Sequence, residues 1–118
     1  MFNILNRAAA PASVTARDFI ESPDGKIVID VREHGEVAMS GKAKGALHIP
    51  MMMLHFRADP AHPDYEPLLS RDAMIGVYCA SGGRSQSAKM MLERLGYTNV
   101  HNIGGFGHWM QAGGEAER

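Results

Sequence analysis

The sequence predicts an α/β fold in which a central, mostly parallel sheet is flanked by helices. Two short apolar runs, Ile27–Ile29 and Ile75–Tyr78, are typical of strands that are buried on both faces. A stretch with helical periodicity follows the second run, and Val100–Ile103 is predicted as a third strand. Strands that alternate with helices in this way indicate a sheet that is largely parallel.

Thr15 can cap the first helix, and Asp18 then lies near the positive N-terminal end of that helix. The composition of Ser22–Gly25 predicts a turn before the first strand. The first half of the chain is therefore predicted to contain, in order, a helix from residue 15, a turn at 22–25, a strand at 26–31, a helix at 33–40 ending at Gly41, and a short strand at 46–49 stopped by Pro50.

The second half begins with a predicted helix at 51–57 and a loop at 59–67, which contains three prolines. The strand at 75–78 delivers Cys79 at its carboxyl end. A helix follows from Arg84, because apolar residues recur at helical spacing up to Gly96, namely at Ala88, Met91, Leu92 and Leu95. The strand at 100–103 and a last helix at 106–112 complete the pattern.

Length and composition indicate one soluble domain over residues 1–118, with a core at about 13–114. The net charge of −1 provides no field that would attract nucleic acid or an anionic membrane. Residues 1–12 lack an apolar stretch long enough for a signal peptide, and a single cysteine cannot form an internal disulfide, so we expect a cytoplasmic protein. The histidines have no close pairing at helical spacing, and no metal site is expected.

The segment from Cys79 to Ser85 carries the strongest functional signal, because ligands gather at the carboxyl ends of parallel strands. A thiolate needs stabilising donors, which the N-terminus of the following helix and its amides can supply. Gly82 and Gly83 allow positive φ angles, so the loop can turn its amides inward around an anion. We expect a lowered pKa for Cys79, with the anion-binding loop formed by Ala80, Ser81, Gly82, Gly83, Arg84 and Ser85.

This loop resembles the active loop of the single-domain rhodaneses, Cys-x-x-Gly-x-Arg followed by a small hydroxyl residue. Four other segments resemble signatures of that family in the same order: Asp30–Glu33, Gly45–Pro50, Leu95–Tyr97 with Val100, and Gly104–Gly105 with Trp109. The sequence departs from the family before the second signature, where it has Gly41-Lys-Ala-Lys44. That departure makes the local surface more basic and lies outside the sulfur-binding loop.

The resemblance implies a rhodanese-like fold and a sulfurtransferase that carries sulfur as a persulfide on Cys79. The expected donor is a small sulfur anion, thiosulfate or a persulfide, and the expected acceptor is a thiol or cyanide, or a protein. Neither a cofactor nor a metal is required. Asp30 and Arg32 are expected to support the site by fixing neighbouring loops through charge-assisted hydrogen bonds. The physiological donor and acceptor, and the role of Met51–Met53, are not specified by the sequence.

Three alternative interpretations apply to this segment. A lone cysteine is often a small buried hydrophobe, but the glycines, arginine and helix after Cys79 favour a nucleophile. Cysteine phosphatases and arsenate reductases also bind an anion in a loop between a cysteine and an arginine, with the pattern Cys-x5-Arg. Cys79 to Arg84 is Cys-x4-Arg, and this shorter loop favours binding of a single sulfur atom over a tetrahedral oxyanion. A rhodanese-like binding or regulatory module without activity remains the principal alternative, although such modules often lack the cysteine.

Overall fold

The structure, a computed structural model, describes residues 13–118. In chain order its elements are α1 (Ala16–Glu21), β1 (Lys26–Asp30), α2 (His34–Ser40), β2 (Lys42–Ala43), β3 (Leu47–His48), α3 (Met51–Arg57), β4 (Met74–Cys79), α4 (Gly83–Arg94), β5 (Val100–Gly105), α5 (Phe106–Gln111) and β6 (Ala116–Glu117). The α/β alternation predicted from the sequence is confirmed. The expectation about residues 1–12 lies outside the described residues.

The central sheet has four strands in the order β3-β1-β4-β5, and all three pairings are parallel. Ile29 is opposite Val77 and Leu47 in the register, and Val77 is opposite Asn102. The carboxyl ends of the four strands therefore meet at one edge, where ligands bind in sheets of this kind. A register irregularity between Val77 and Cys79 occurs at that edge.

Apolar side chains cover both faces of this sheet. On one face, Leu54 of α3 and Ala88 and Leu92 of α4 are fully buried against the strands. On the other face, Phe19 of α1 and Trp109 of α5 pack in a second cluster. Burial on both faces is the physical reason that the strands contain short continuous apolar runs rather than alternating ones.

Several element bounds differ from the sequence prediction by one or two residues, and one strand pair was not predicted. Helix α4 begins at Gly83 rather than Arg84, and β5 continues to Gly105 rather than ending at Ile103. A small antiparallel pair, β2 with β6, was not predicted; it joins Lys42 to Glu117 near the end of the chain. Within residues 13–118, no helix is long and apolar enough to cross a membrane.

Candidate active site

The cysteine loop lies at the carboxyl edge of the sheet. Strand β4 ends at Cys79, and the chain turns through Gly82, whose φ of 104° is in the left-handed region that favours glycine. Gly83 is already the first residue of α4 and has no positive φ, so the expectation that both glycines supply this geometry is wrong for Gly83. One left-handed residue is sufficient, because the helix starts immediately after it.

Hydrogen-bond donors of the loop surround the sulfur of Cys79. The backbone N–H of Gly82 donates to Sγ at 3.0 Å, and that of Ser85 donates at 3.4 Å. The Ser85 hydroxyl lies 3.4 Å from the same sulfur. Burial opposes ionisation, since Cys79 is only 1% exposed. Hydrogen bonds from the Ser85 hydroxyl and from the amides of Ser85, Gly82 and Ser81 nevertheless lower the pKa of Cys79 to about 7.

Arg84 is held by a carboxylate from another element. Its Nη1 and Nη2 donate to the two oxygens of Glu36 on α2, at 2.7 and 2.8 Å. The backbone N–H of Glu33 donates to the same carboxylate at 2.9 Å, and together these contacts lower the pKa of Glu36 to about 2. The guanidinium of Arg84 is not among the hydrogen-bond donors to Sγ in the part of the chain described, so backbone amides and a hydroxyl supply the hydrogen bonds that stabilise the thiolate.

Asp30 and Arg32 form a buried pair at the end of β1. Asp30 is fully buried, and its carboxylate accepts from Arg32 Nη2 at 2.8 Å and from the Tyr78 hydroxyl at 2.6 Å. Arg32 also donates to the carbonyl of Gly41 at 2.7 Å and to the hydroxyl of Ser40 at 2.9 Å. The pair thus links the ends of β1 and β4 to the end of α2.

Strand β5 holds the loop from the side. A Cβ on Gly105 would lie 2.1 Å from the carbonyl oxygen of Ala80, so only glycine allows this approach. The side chain of Asn102 bonds to the carbonyl of Gly82 at 3.0 Å and to the hydroxyl of Ser85 at 2.7 Å.

Sequence reasoning missed Glu36 and Asn102 as parts of the site. Asn102 had a usable signal, because it is a polar residue near the carboxyl end of a predicted parallel strand. Glu36 had none, since its contact with Arg84 joins residues 48 positions apart.

A cavity of about 370 Å³ lies on the other side of β5, lined among others by Thr15, Asn102, Gly104 and His108. Cys79 does not line it. The sulfur of Cys79 is therefore held by the loop itself and not in this cavity. Among residues 13–118, no three side chains of histidine, cysteine, aspartate or glutamate are grouped as a metal site would need.

Residues 15–112 match the family model described as rhodanese-like domain. The chain is 36% identical over 77 residues to thiosulfate sulfurtransferase PspE of Escherichia coli (strain K12), covering 65% of this chain and 67% of that protein. It is 33% identical over 114 residues to thiosulfate sulfurtransferase 16, chloroplastic, of Arabidopsis thaliana, covering 92% of each. The chain spans less than two thirds of the length of several other curated relatives.

A similar solved structure is that of a Rhodopseudomonas palustris CGA009 protein described as of unknown function and as a possible tyrosine phosphatase. Its TM-score is 0.78 at 32% identity, and the match covers 89% of this chain and 83% of that one.

Proposed function

This chain belongs to the family of rhodanese-like domains, and on that premise we propose that it is a sulfurtransferase that moves a sulfane sulfur through a persulfide on Cys79. The donor is a small sulfur anion such as thiosulfate or a persulfide, and the acceptor is a thiol or cyanide. The relatives named thiosulfate sulfurtransferase support the reaction class.

The observation that carries the proposal is the convergence of loop donors on one sulfur atom. The amides of Gly82 and Ser85 point at Sγ, and the pKa of Cys79 is lowered to about 7. Near neutral pH a larger fraction of the thiol is therefore ionised than the few per cent of an ordinary cysteine. A preformed thiolate needs no separate general base, because no proton has to be removed during attack.

The reaction has two steps. The thiolate of Cys79 attacks the outer sulfur of thiosulfate, the S–S bond breaks, and its electron pair leaves with sulfite. The product is Cys79–S–S⁻, whose charge the amides of the loop stabilise. The acceptor then attacks the terminal sulfur, and the electron pair of the S–S bond returns to Cys79 as the thiolate.

The phosphatase alternative is disfavoured by the arginine. Phosphate recognition uses the planar fork of an arginine on two oxygens at once. Both terminal nitrogens of Arg84 are bound to Glu36, and the loop has one residue fewer between cysteine and arginine than the phosphatase pattern. We therefore expect no hydrolysis of p-nitrophenyl phosphate above the rate of the Cys79→Ser variant.

Intact-mass spectrometry of the reduced protein after incubation with thiosulfate tests the proposal. We expect the mass to increase by one sulfur atom, and cyanide or a reducing thiol to remove that sulfur. Cys79→Ser is the matched control, because Cys79 is the only cysteine and the variant must show no addition. An unchanged mass in the wild-type protein with both thiosulfate and a small persulfide would favour the non-enzymatic module.

A protein acceptor and a cytoplasmic location remain predictions of the sequence. The single thiol supports a separate acceptor, since the chain has no second cysteine that could receive the sulfur internally.

A further inference from the structure

Asn102 on β5 contacts the cysteine loop at two points. Its Nδ2 donates to the carbonyl of Gly82 at 3.0 Å, and its Oδ1 lies 2.7 Å from the hydroxyl oxygen of Ser85. The same Oδ1 accepts the backbone N–H of Gly104 at 3.0 Å. Ser85 is fully buried and is the residue whose hydroxyl faces the sulfur of Cys79.

The orientation of the Asn102 amide is fixed by backbone groups. Exchanging its oxygen and nitrogen would place an N–H group against the N–H of Gly104 and an oxygen against the carbonyl of Gly82. Both contacts would be repulsive, so the assignment follows from the hydrogen-bond network. The atom that faces Ser85 is therefore an oxygen, which can only accept.

Ser85 has one hydroxyl proton and more than one acceptor for it. Asn102 Oδ1 is the nearest at 2.7 Å, followed by the carbonyl of Gly82 at 3.1 Å, and then by the carbonyl of Gly104 and the sulfur of Cys79, both at 3.4 Å. When the proton points at Asn102, the oxygen of Ser85 presents a lone pair to the sulfur. That arrangement suits a thiol, which can donate, and gives no hydrogen bond to a thiolate.

We propose that Asn102 is a positioning residue that directs the hydroxyl proton of Ser85 away from Cys79, so that Ser85 accepts from the thiol and must turn to donate to the thiolate. The turn exchanges a neutral hydrogen bond for a stronger one to a charged sulfur. Asn102 thus sets, through Ser85, how readily Cys79 ionises.

Charged groups act on the same sulfur through their electrostatic field and not through a hydrogen bond, as Arg84 does. None of them is a hydrogen-bond partner of Sγ or of the Ser85 hydroxyl in residues 13–118. They are Arg84 on α4 with its partner Glu36 on α2, and the pair Asp30 and Arg32 at the end of β1. His108 on α5 is a titratable group near the loop, and its Nδ1 accepts the N–H of Gly105.

The turn of the Ser85 hydroxyl would also contribute to the second step of sulfur transfer. This contribution rests on the proposed function. When the acceptor attacks the persulfide, the S–S bond breaks and negative charge develops on Sγ. A Ser85 hydroxyl that turns from Asn102 to Sγ would stabilise that charge as it forms, without any proton transfer.

Titration of the Cys79 thiol in the free protein tests the role of Asn102. The probe is the rate of alkylation by iodoacetamide as a function of pH, measured for wild type, Asn102→Ala, Ser85→Ala and the double variant. We expect Asn102→Ala to lower the pKa of Cys79 by about half a unit, which raises the rate about threefold at pH values well below the pKa. Ser85→Ala should raise the pKa, and the double variant should match Ser85→Ala alone.

The controls separate proton direction from loop support. Asn99→Ala removes an exposed asparagine one residue before the same strand, whose side-chain oxygen is hydrogen-bonded to His101, and should change nothing. Asn102→Leu keeps the volume of the side chain and should reproduce Asn102→Ala. A higher pKa in Asn102→Ala, or an equal shift with and without the Ser85 hydroxyl, would show that Asn102 merely supports the loop and would overturn the proposal. Failure of both Asn102 variants to fold would overturn it too.

The alkylation titration contains no sulfur donor, so its result does not depend on the proposed reaction. A protein that takes up no sulfur could still show the coupling, and an active enzyme could lack it.

Discussion

The ion pair between Arg84 and Glu36 determines how the only charged side chain of the loop can meet an anionic donor. Both terminal nitrogens of the guanidinium are bound to the carboxylate, at 2.7 and 2.8 Å. If thiosulfate binds Arg84, its sulfonate oxygens compete with Glu36 for the same two donors. Glu36→Gln should therefore lower the KM for thiosulfate, because the uncharged amide holds the guanidinium less tightly.

The expected size follows from the exposure of the pair. The two side chains are 38% and 35% exposed, so solvent screens the attraction and its net strength is at most about 1 kcal/mol. Releasing that attraction corresponds to about a fivefold lower KM for thiosulfate. Arg84→Lys should act in the opposite direction and raise the KM, because lysine lacks the planar fork. Neither change should alter the KM of the acceptor by more than about twofold.

Steady-state kinetics with thiosulfate and cyanide, each varied in turn at fixed ionic strength, measures these effects. The matched control is Glu93→Gln, which breaks the Lys89–Glu93 pair on α4, the helix that carries Arg84. It changes the net charge by the same amount as Glu36→Gln. It should leave the KM for thiosulfate unchanged. A higher KM in Glu36→Gln would refute the competition and show that Glu36 holds Arg84 in the orientation that binds the donor.

Three further outcomes are expected. The alkylation rate of Cys79 should reach half its maximum near pH 7, and a midpoint near pH 8.5 would contradict the loop electrostatics. Gly105→Ala should lower the free energy of unfolding by about 1–3 kcal/mol in urea titrations, because its Cβ meets the carbonyl of Ala80, whereas Gly107→Ala has open space and should cost nothing. The pKa of Glu36 is lower in the folded protein, so its stabilising effect is present above about pH 4.5 and is lost as the pH falls towards 2. Glu36→Gln should remove that part of the acid destabilisation, and an identical decline in both proteins between pH 5 and 3 would argue against it.

The position of Cys79 and the geometry of its loop could be predicted because their signals are local. One short segment contains the buried run before Cys79, the left-handed turn at Gly82 and the helix that follows. The residues of that segment alone are enough to predict each of these features. The same applies to the parallel sheet, since apolar runs and helical periodicity report burial directly.

Contacts between distant segments could not be predicted in this way. The pairing of β2 with β6 brings together residues 75 positions apart, through Lys42 and Glu117. Glu36, the partner of Arg84, lies on α2. The sequence predicts that this segment is helical but not which element it packs against. No periodicity specifies which exposed carboxylate will lie beside a given guanidinium, because that depends on how α2 and α4 pack.

A loop motif therefore predicts the environment of the cysteine sulfur but not the contacts of the arginine side chain. The motif places the sulfur and its amides, and those amides lower the pKa of Cys79 whether or not Arg84 is free. If Arg84 binds the donor, its availability for that contact is set by Glu36, which lies on a different element. A chain with the same loop and no carboxylate at position 36 should therefore keep the reactive thiolate and differ in its preference among anionic donors. We therefore expect substitutions at Glu36 to change donor preference and substitutions at Asn102 to change thiol reactivity, while Cys79 and its loop stay the same.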